Sequence, residues 1–465
     1  MKLNISFLKI VPLNVISLRM GMIVGVIILV LGFFIFNSNG IKKISPWEKQ
    51  ANELLLDWVG LFLEADRFTE GYRAPISART FAYISLAAYE VGMPTMKQTH
   101  QSLAMQYGLK IPSYPISGDY NLSAALNVTF KSLLDRYFVT APVFIKNKIN
   151  QLYENKRHLL SKQFNHELID KSESFGLEIA NMVYNYSASD TIGHMAFLQI
   201  YDLNYKIPRG HGKWIPSEEH PLPPLLPYWG KVRPFVIDVS KLHSKPLPEY
   251  KYDASSIFYT DALEVMTVSS PLTSENKWIA EFWSDDHQGL TFAPSSRWIS
   301  ITNQIINLEM PETAIVLETY LKVSLALADA GIVCWNSKYI YNLERPENYI
   351  KKVLDPDWKP LFPSPNFPAY PSGHSTFGAA AAEVLTQLYG QDYKMKDMSH
   401  ASRDEFNGKP RSFNSFYEMA FENAFSRIYL GVHFRTDCEE GLVLGFQVGK
   451  KISALNLRSK DFSIK

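Results

Sequence analysis

Residues 367–388 read FPAYPSGHSTFGAAAAEVLTQL, and the chain changes character inside that stretch. Prolines at 360, 363, 365, 368 and 371 stiffen the approach to Ser372. Beyond it, small and apolar residues at helical spacing predict a helix over about 375–390. Ser372 is a natural N-cap, and Gly373 lets the backbone come close to a ligand. The first N–H groups of a helix lack intrahelical acceptors and lie at its positive dipole end, so such a start can hold an anion. His374 stands where it can exchange a proton with that anion. Alone, the stretch reads equally well as a capped helix behind a proline turn.

Two other segments supply matching chemistry. In KYIYNLERP, residues 338–346, Lys338 and Arg345 are seven apart, so one continuous helix would put both cations on one face until Pro346 halts it. In SRIYLGVHFRTD, residues 426–437, His433 and Asp437 are spaced i, i+4. On a helix the carboxylate can take the proton of one imidazole nitrogen and leave the other free as nucleophile or ligand. Singly, these are a solvated basic face and a satisfied core histidine. Together, Lys338, Arg345 and Arg427, the Ser372 hydroxyl, helix-start amides at Gly373, and His374 and His433 suit one tetrahedral oxyanion carrying several negative charges. Clustered carboxylates or thiolates for a metal cation are missing from the pattern.

Around these segments the sequence is helical. Ser45-Pro46 offers an N-cap and first-turn pair ahead of Leu54, Leu55, Trp58, Leu61 and Phe62. A second helix is expected from Ser77 through Val91, stopping at Gly92 and Pro94. Others are expected over 121–137, 155–186, 188–202, 273–287, 311–334, 412–430 and 436–454. Residues 206–248 are rich in Pro and Gly, too aromatic for a loose tether, and read as a connector. The expectation is an all-α chain of two helical bundles, 41–205 and 249–465, joined through 206–248 and preceded by an address at 1–40. With 465 residues, 46% of them hydrophobic, there is material for two cores. A formal charge of +1 and no basic stripe argue against nucleic acid as a partner. Cys334 and Cys438 have no zinc-like spacing and read as small buried side chains.

The address is MGMIVGVIILVLGFFIF, residues 20–36, preceded by Lys2, Lys9 and Arg19. Basic residues before an apolar run mark a secretory signal or signal anchor. The run is at the short limit for spanning a bilayer, and Ser38 and Gly40 suit cleavage after Gly40. An exported protein is expected, secreted, periplasmic or held by a membrane anchor.

The three segments, complete and in order, resemble the signature K-x6-RP, PSGH, SR-x5-H-x3-D shared by vanadium haloperoxidases and the type 2 phosphatidic-acid phosphatase superfamily. Finer features are similar to the haloperoxidase branch: FPAYPSGHSTFG with its aromatic at Phe367, Trp335 three residues before Lys338, FWSDD at 282–286, and the helical stretch APISARTFAYISLAAY at 74–89. The resemblance implies a vanadate cofactor and no haem or flavin, with hydrogen peroxide, a halide and an organic acceptor as reaction partners. It implies that His433 is the ligand to vanadium, oriented by Asp437, and that Lys338, Arg345, Ser372, Gly373 and Arg427 hold the vanadate oxygens. His374 is implied as the acid–base residue and Lys338 as the group that polarises peroxide. Asp286 is implied to pair with Arg427, and Trp335 and Phe367 to line a halide pocket. Iodide or bromide is expected ahead of chloride. Two rival readings use the same residues: an acid phosphatase with His433 as nucleophile, and a non-catalytic helical binding protein.

Overall fold

The computed structural model describes residues 44–115, 118–217, 221–403 and 405–459. The address at 20–36 and its cleavage site lie outside them. Among the described residues, no helix is long and apolar enough to cross a membrane.

The first helices are α1 (Pro46–Phe68), α2 (Ala74–Met96), α3 (Leu122–Tyr137), α4 (Val143–Ser161) and α5 (His166–Ala188). There follow α6 (Ile257–Ser269), α7 (Ser274–Phe282), α8 (Pro294–Glu309), α9 (Thr313–Tyr341) and α10 (Pro346–Val353). The last are α11 (Gly373–Tyr389), α12 (Phe416–Tyr429) and α13 (Arg435–Ser453). Among the described residues the sheet structure is one antiparallel pair, β1 (Met395–Asp397) with β2 (Arg411–Phe413). The chain is all-α.

One bundle is built from α1–α5. Phe62 of α1 meets Phe81 of α2 at 4.7 Å, and Trp58 donates to Asn127 of α3 at 3.0 Å. The second bundle centres on α9, which is buried on every side from Val316 to Trp335, as an apolar circumference requires. It packs on α2, α11 and α13, so one apolar core runs through both bundles. Residues from Trp47 onward form one compact unit. The described part of 206–248 contains no α-helix, yet is strapped down: the backbone N–H groups of Phe235, Val236 and Ile237 all donate to buried Asp329 of α9.

Helix α11 lies against α13, and small residues set the separation. A Cβ on Gly441 would fall 2.7 Å from the Ser372 carbonyl oxygen. One turn on, a Cβ on Gly445 would collide with the Thr376 carbonyl. This contact brings the start of α11, with Ser372–His374, beside the start of α13, with His433 and Asp437.

Several expected boundaries differ. Helix α2 runs through Gly92 and Pro94 to Met96, because Gly92 serves close packing against Leu317 of α9 and Pro94 costs only a hydrogen bond near the helix end. The single helix expected over 155–186 is two, α4 and α5, with Asn165 capping the second by accepting from Leu168 N at 2.7 Å. Over 188–202 only a short 3-10 turn forms, Ala196–Leu198. There Asp190 accepts from the backbone of Gly193 and pairs with Arg79, drawing the chain out of helix.

Candidate active site

Lys338 and Arg345 do not share a helix face. Helix α9 ends at Tyr341, Asn342 takes the left-handed conformation (φ 51°), and Pro346 opens a new helix with Arg345 as its N-cap residue. The turn still delivers both cations to one place. Lys338 Nζ donates to the carbonyls of Pro368 and Ala369 at 3.0 and 2.9 Å and also to that of Pro371. Arg345 donates through Nε and Nη2 to the Phe367 carbonyl (3.1 and 2.8 Å) and through Nη1 to the Val432 carbonyl (2.9 Å). Both cations thus brace the proline-rich approach to Ser372.

Ser372 caps α11, accepting from Ser375 N at 3.4 Å, and donates its own N–H to the Asp437 carbonyl at 2.9 Å. His374 Nε2 lies 3.3 Å from Arg427 Nη1. Its backbone carbonyl accepts from Asn423 Nδ2 at 3.1 Å. Arg427, in the last turn of α12, is held by Ser426 Oγ (3.0 Å) and the Trp283 carbonyl (2.6 Å).

His433 and Asp437 are not on one helix either. His433 precedes α13, Phe434 is the N-cap residue, and Asp437 sits three residues into the first turn. One Asp437 oxygen accepts from both Phe434 N and His433 Nδ1 at 3.0 Å. With Nδ1 donating, Nε2 keeps its lone pair, toward which Arg345 Nη1 points at 3.1 Å.

Burial governs the electrostatics. It pushes the Lys338 ammonium down to about 7, and Arg345 and Arg427 to about 10. His374 and His433 fall well below their ordinary value, through burial first and nearby cations second, so both are neutral at pH 7. Burial raises Asp437. Among the described residues no carboxylate forms an ion pair with Lys338, Arg345 or Arg427, although all three are buried. Buried positive charge without a partner is costly, and a multiply charged anion relieves it.

Arg427, His374, His433 and Gly373 line a cavity of about 310 Å³, and Trp335 and Phe367, 5.1 Å apart, line it too. Asp286 is elsewhere than expected. Its carboxylate takes Arg73, at the end of the first bundle, at 2.9 Å, while Arg427 turns to the Trp283 carbonyl. The positive φ of Asp286 (90°) ends the FWSDD segment by swinging this side chain toward α2. Neighbouring Asp285 is occupied by Arg297 and His400. Sequence reading missed Arg73, Ser284, His287 and Asn423. Local signal was confined to Ser284, inside the FWSDD segment, and Asn423, a turn before Arg427 on the same helix.

A model of the VCPO second helical-bundle domain matches residues 318–459. The vanadium chloroperoxidase of Curvularia inaequalis is 32% identical over 163 residues, 25% of this chain and 27% of that protein. The vanadium-dependent bromoperoxidase of Ascophyllum nodosum is 37% identical over 91 residues, 18% of this chain and 16% of that protein. The crystal structure of a bacterial vanadium-dependent iodoperoxidase superposes with a TM-score of 0.76 and 29% identity, covering 88% of this chain and 98% of that one. Residues 318–459 carry the VCPO second helical-bundle domain, and the fold around them is that of vanadium haloperoxidases. A bacterial vanadium-dependent chloroperoxidase shares the fold, with a TM-score of 0.64 at 16% identity over 83% of this chain and 92% of that one. The matched segments span about a quarter or less of the two curated haloperoxidases, whereas the iodoperoxidase likeness runs the length of both bundles.

The residues present fit the family's cofactor. Vanadate is a tetrahedral oxyanion. The site offers cations without carboxylate partners, a hydroxyl at a helix start, and one imidazole nitrogen with a lone pair fixed by Asp437.

Proposed function

We propose that this chain is a vanadate-dependent haloperoxidase, oxidising a halide with hydrogen peroxide to hypohalous acid, with iodide or bromide ahead of chloride. The observation that carries the proposal is the convergence of Lys338, Arg345, Arg427, His374 and His433 in one buried cluster beside a cavity, where among the described residues the three cations form no ion pair with a carboxylate. His433 Nε2 would hold the vanadium, and Lys338, Arg345, Arg427, the Ser372 hydroxyl and the Gly373 N–H the oxygens. Bound there, vanadate supplies the activation of peroxide toward a two-electron oxidation of halide.

This chain's own groups do the remaining work. Asp437 fixes the His433 tautomer, keeping Nε2 free of a proton. His374, neutral at pH 7, takes or gives a proton at Nε2 under the control of Arg427. The three cations stabilise negative charge where water is largely excluded. Trp335 and Phe367 offer aromatic walls on which a large, weakly hydrated halide can rest. The iodide preference is supported by the iodoperoxidase likeness over both bundles.

Assay of the purified protein with vanadate, peroxide and iodide, bromide or chloride, beside an aryl phosphate, tests this reading. Triiodide formation that needs both vanadate and peroxide is expected. Phosphate release without halide oxidation would replace the proposal by the phosphatase reading, and equal, negligible vanadate uptake by wild type and His433→Ala by the binding-protein reading. Export is proposed with it, supported by Lys2, Lys9 and Arg19 ahead of the apolar run at 20–36. Recovery of all protein in the cytoplasmic fraction of producing cells would sink that part.

A further inference from the structure

Helix α13 starts without a side-chain cap of its own. Its N-cap residue is Phe434, and the Asp437 oxygen facing the turn already accepts from Phe434 N and His433 Nδ1. The Thr436 N–H, one of the donors that a helix start leaves without an intrahelical partner, is taken by another element. Asp261 of α6 accepts from it through Oδ2 at 2.9 Å. One residue back, Arg435 forks onto Glu264 of α6, its Nε at 3.1 and 2.8 Å from the two carboxylate oxygens. One further back, the Phe434 ring meets Phe258 of α6 edge-on at 5.5 Å. Phe258, Asp261 and Glu264 recur at intervals of three and climb one side of that helix. Every residue between His433 and Asp437 is thus gripped from α6.

The start of α6 is tied to the Arg345 side of the oxyanion cluster. Ser256 caps α6, accepting from Tyr259 N at 3.1 Å, and donates to the Lys251 carbonyl at 3.0 Å. The same carbonyl accepts from Tyr349 of α10 at 2.8 Å, and α10 is the helix that Arg345 begins. Tyr349 also meets the Phe434 ring edge-on, at 6.1 Å. A hydroxyl or amide would satisfy the Thr436 N–H with less desolvation than a carboxylate. Asp261 is nevertheless buried, and burial holds its carboxyl above the ordinary range. We propose that Asp261, with Glu264, is a positioning residue for His433: α6 fixes the 434–436 turn and so sets the direction of His433 Nε2 relative to Arg345. The proposal rests on the reading in which that nitrogen holds the oxyanion's central atom. Neither Asp261 nor Glu264 lines the cavity, so both act through the turn.

The first readout needs no ligand. In the proton NMR spectrum of the full chain, the His433 Nδ1–H bonded to Asp437 gives a far-downfield signal, assigned by its loss in His433→Ala. Asp261→Ala is expected to shift or broaden that signal and to weaken vanadate binding at least tenfold in equilibrium dialysis. Asp261→Asn keeps an acceptor oxygen for Thr436 N and is expected to restore affinity to within threefold of wild type. Glu264→Ala changes a partly exposed side chain, so it serves where Asp261→Ala does not fold, and is expected to weaken binding at least threefold. Val265→Ala removes buried apolar area from α6 and none of the three contacts. It is expected to lower the melting temperature while signal and affinity stay as in wild type. Unchanged signal and affinity in both carboxylate variants would overturn the proposal. An equal loss in Val265→Ala would overturn it too, leaving α6 a structural support only. Neither readout involves turnover, so a wild type that binds vanadate without oxidising halide removes the haloperoxidase reading alone.

Discussion

Arg345 Nη1 lies 3.1 Å from His433 Nε2, the lone pair that the oxyanion's central atom would share. The guanidinium is held there by the Phe367 and Val432 carbonyls, so it guards this nitrogen from a fixed position. Lysine cannot reproduce the fork, being a single charge on a flexible stem. Arg345→Lys is expected to weaken vanadate binding by tenfold or more in equilibrium dialysis. Its melting temperature is expected to fall as well, since hydrogen bonds from a charged donor are worth about 1.5–3 kcal/mol each. Unchanged vanadate affinity would mean that Arg345 only braces the loop.

Asp437 acts through His433. Asp437→Asn keeps the shape but offers a neutral partner to Nδ1, and allows an amide N–H to face the ring and favour the wrong tautomer. Partners of this kind typically contribute tenfold to a hundredfold in affinity or activity. A loss of that size is expected in both vanadate affinity and kcat. Retention of full affinity would show that the 3.0 Å contact to His433 does not set the tautomer.

The start of α11 was legible because its signals are local: prolines that rigidify the approach, a serine at the cap, and a run of small helix formers. The ends of the cation-bearing segments were not. Asn342 at φ 51° breaks the helix between Lys338 and Arg345, and an asparagine in that context reads as readily as a helix interior. Helix α8 escaped notice because Ser295, Ser296 and Arg297 are buried along with its apolar residues, blurring the period. The placement of Asp286 was beyond local reading altogether. Its partner Arg73 comes from the other bundle, 213 residues away, and the packing of α2 on α8 and α9, with Ser295 of α8 donating to the Ala74 carbonyl, brings it near.

Lys338 makes anion binding depend on pH. Burial lowers its ammonium from 10.5 to about 7 in the site as described, and a bound anion stabilises the charged form. Below pH 7 the cation is already present, so affinity is at its plateau. Above it, binding must draw in a proton, and log affinity is expected to fall by close to one per pH unit until the bound-state value is reached. Titration calorimetry in buffers of different ionisation enthalpy, corrected for the anion's own titration, measures that proton. Lys338→Met is expected to abolish the uptake. Equal proton uptake in this variant would assign it to another group, Asp437 being the first to test.

The contact between α11 and α13 ties fold stability to the site. Gly441→Ala would place a Cβ 2.7 Å from both the Ser372 carbonyl oxygen and the Ser375 Cβ, neither of which is the far end of a flexible side chain that could yield. Overpacking of this kind costs about 1–3 kcal/mol. Because the crowded carbonyl belongs to the N-cap residue whose N–H is bonded to Asp437, relief of the clash must move Ser372 relative to His433. Gly441→Ala is therefore expected to lower the denaturant midpoint and, in the fraction still folded, to weaken vanadate binding. Gly60→Ala, in α1 where a Cβ would meet nothing within 4 Å, is the control and should be neutral or slightly stabilising. Loss of stability in Gly441→Ala with full anion affinity would show that the helix contact and the oxyanion cradle are mechanically independent.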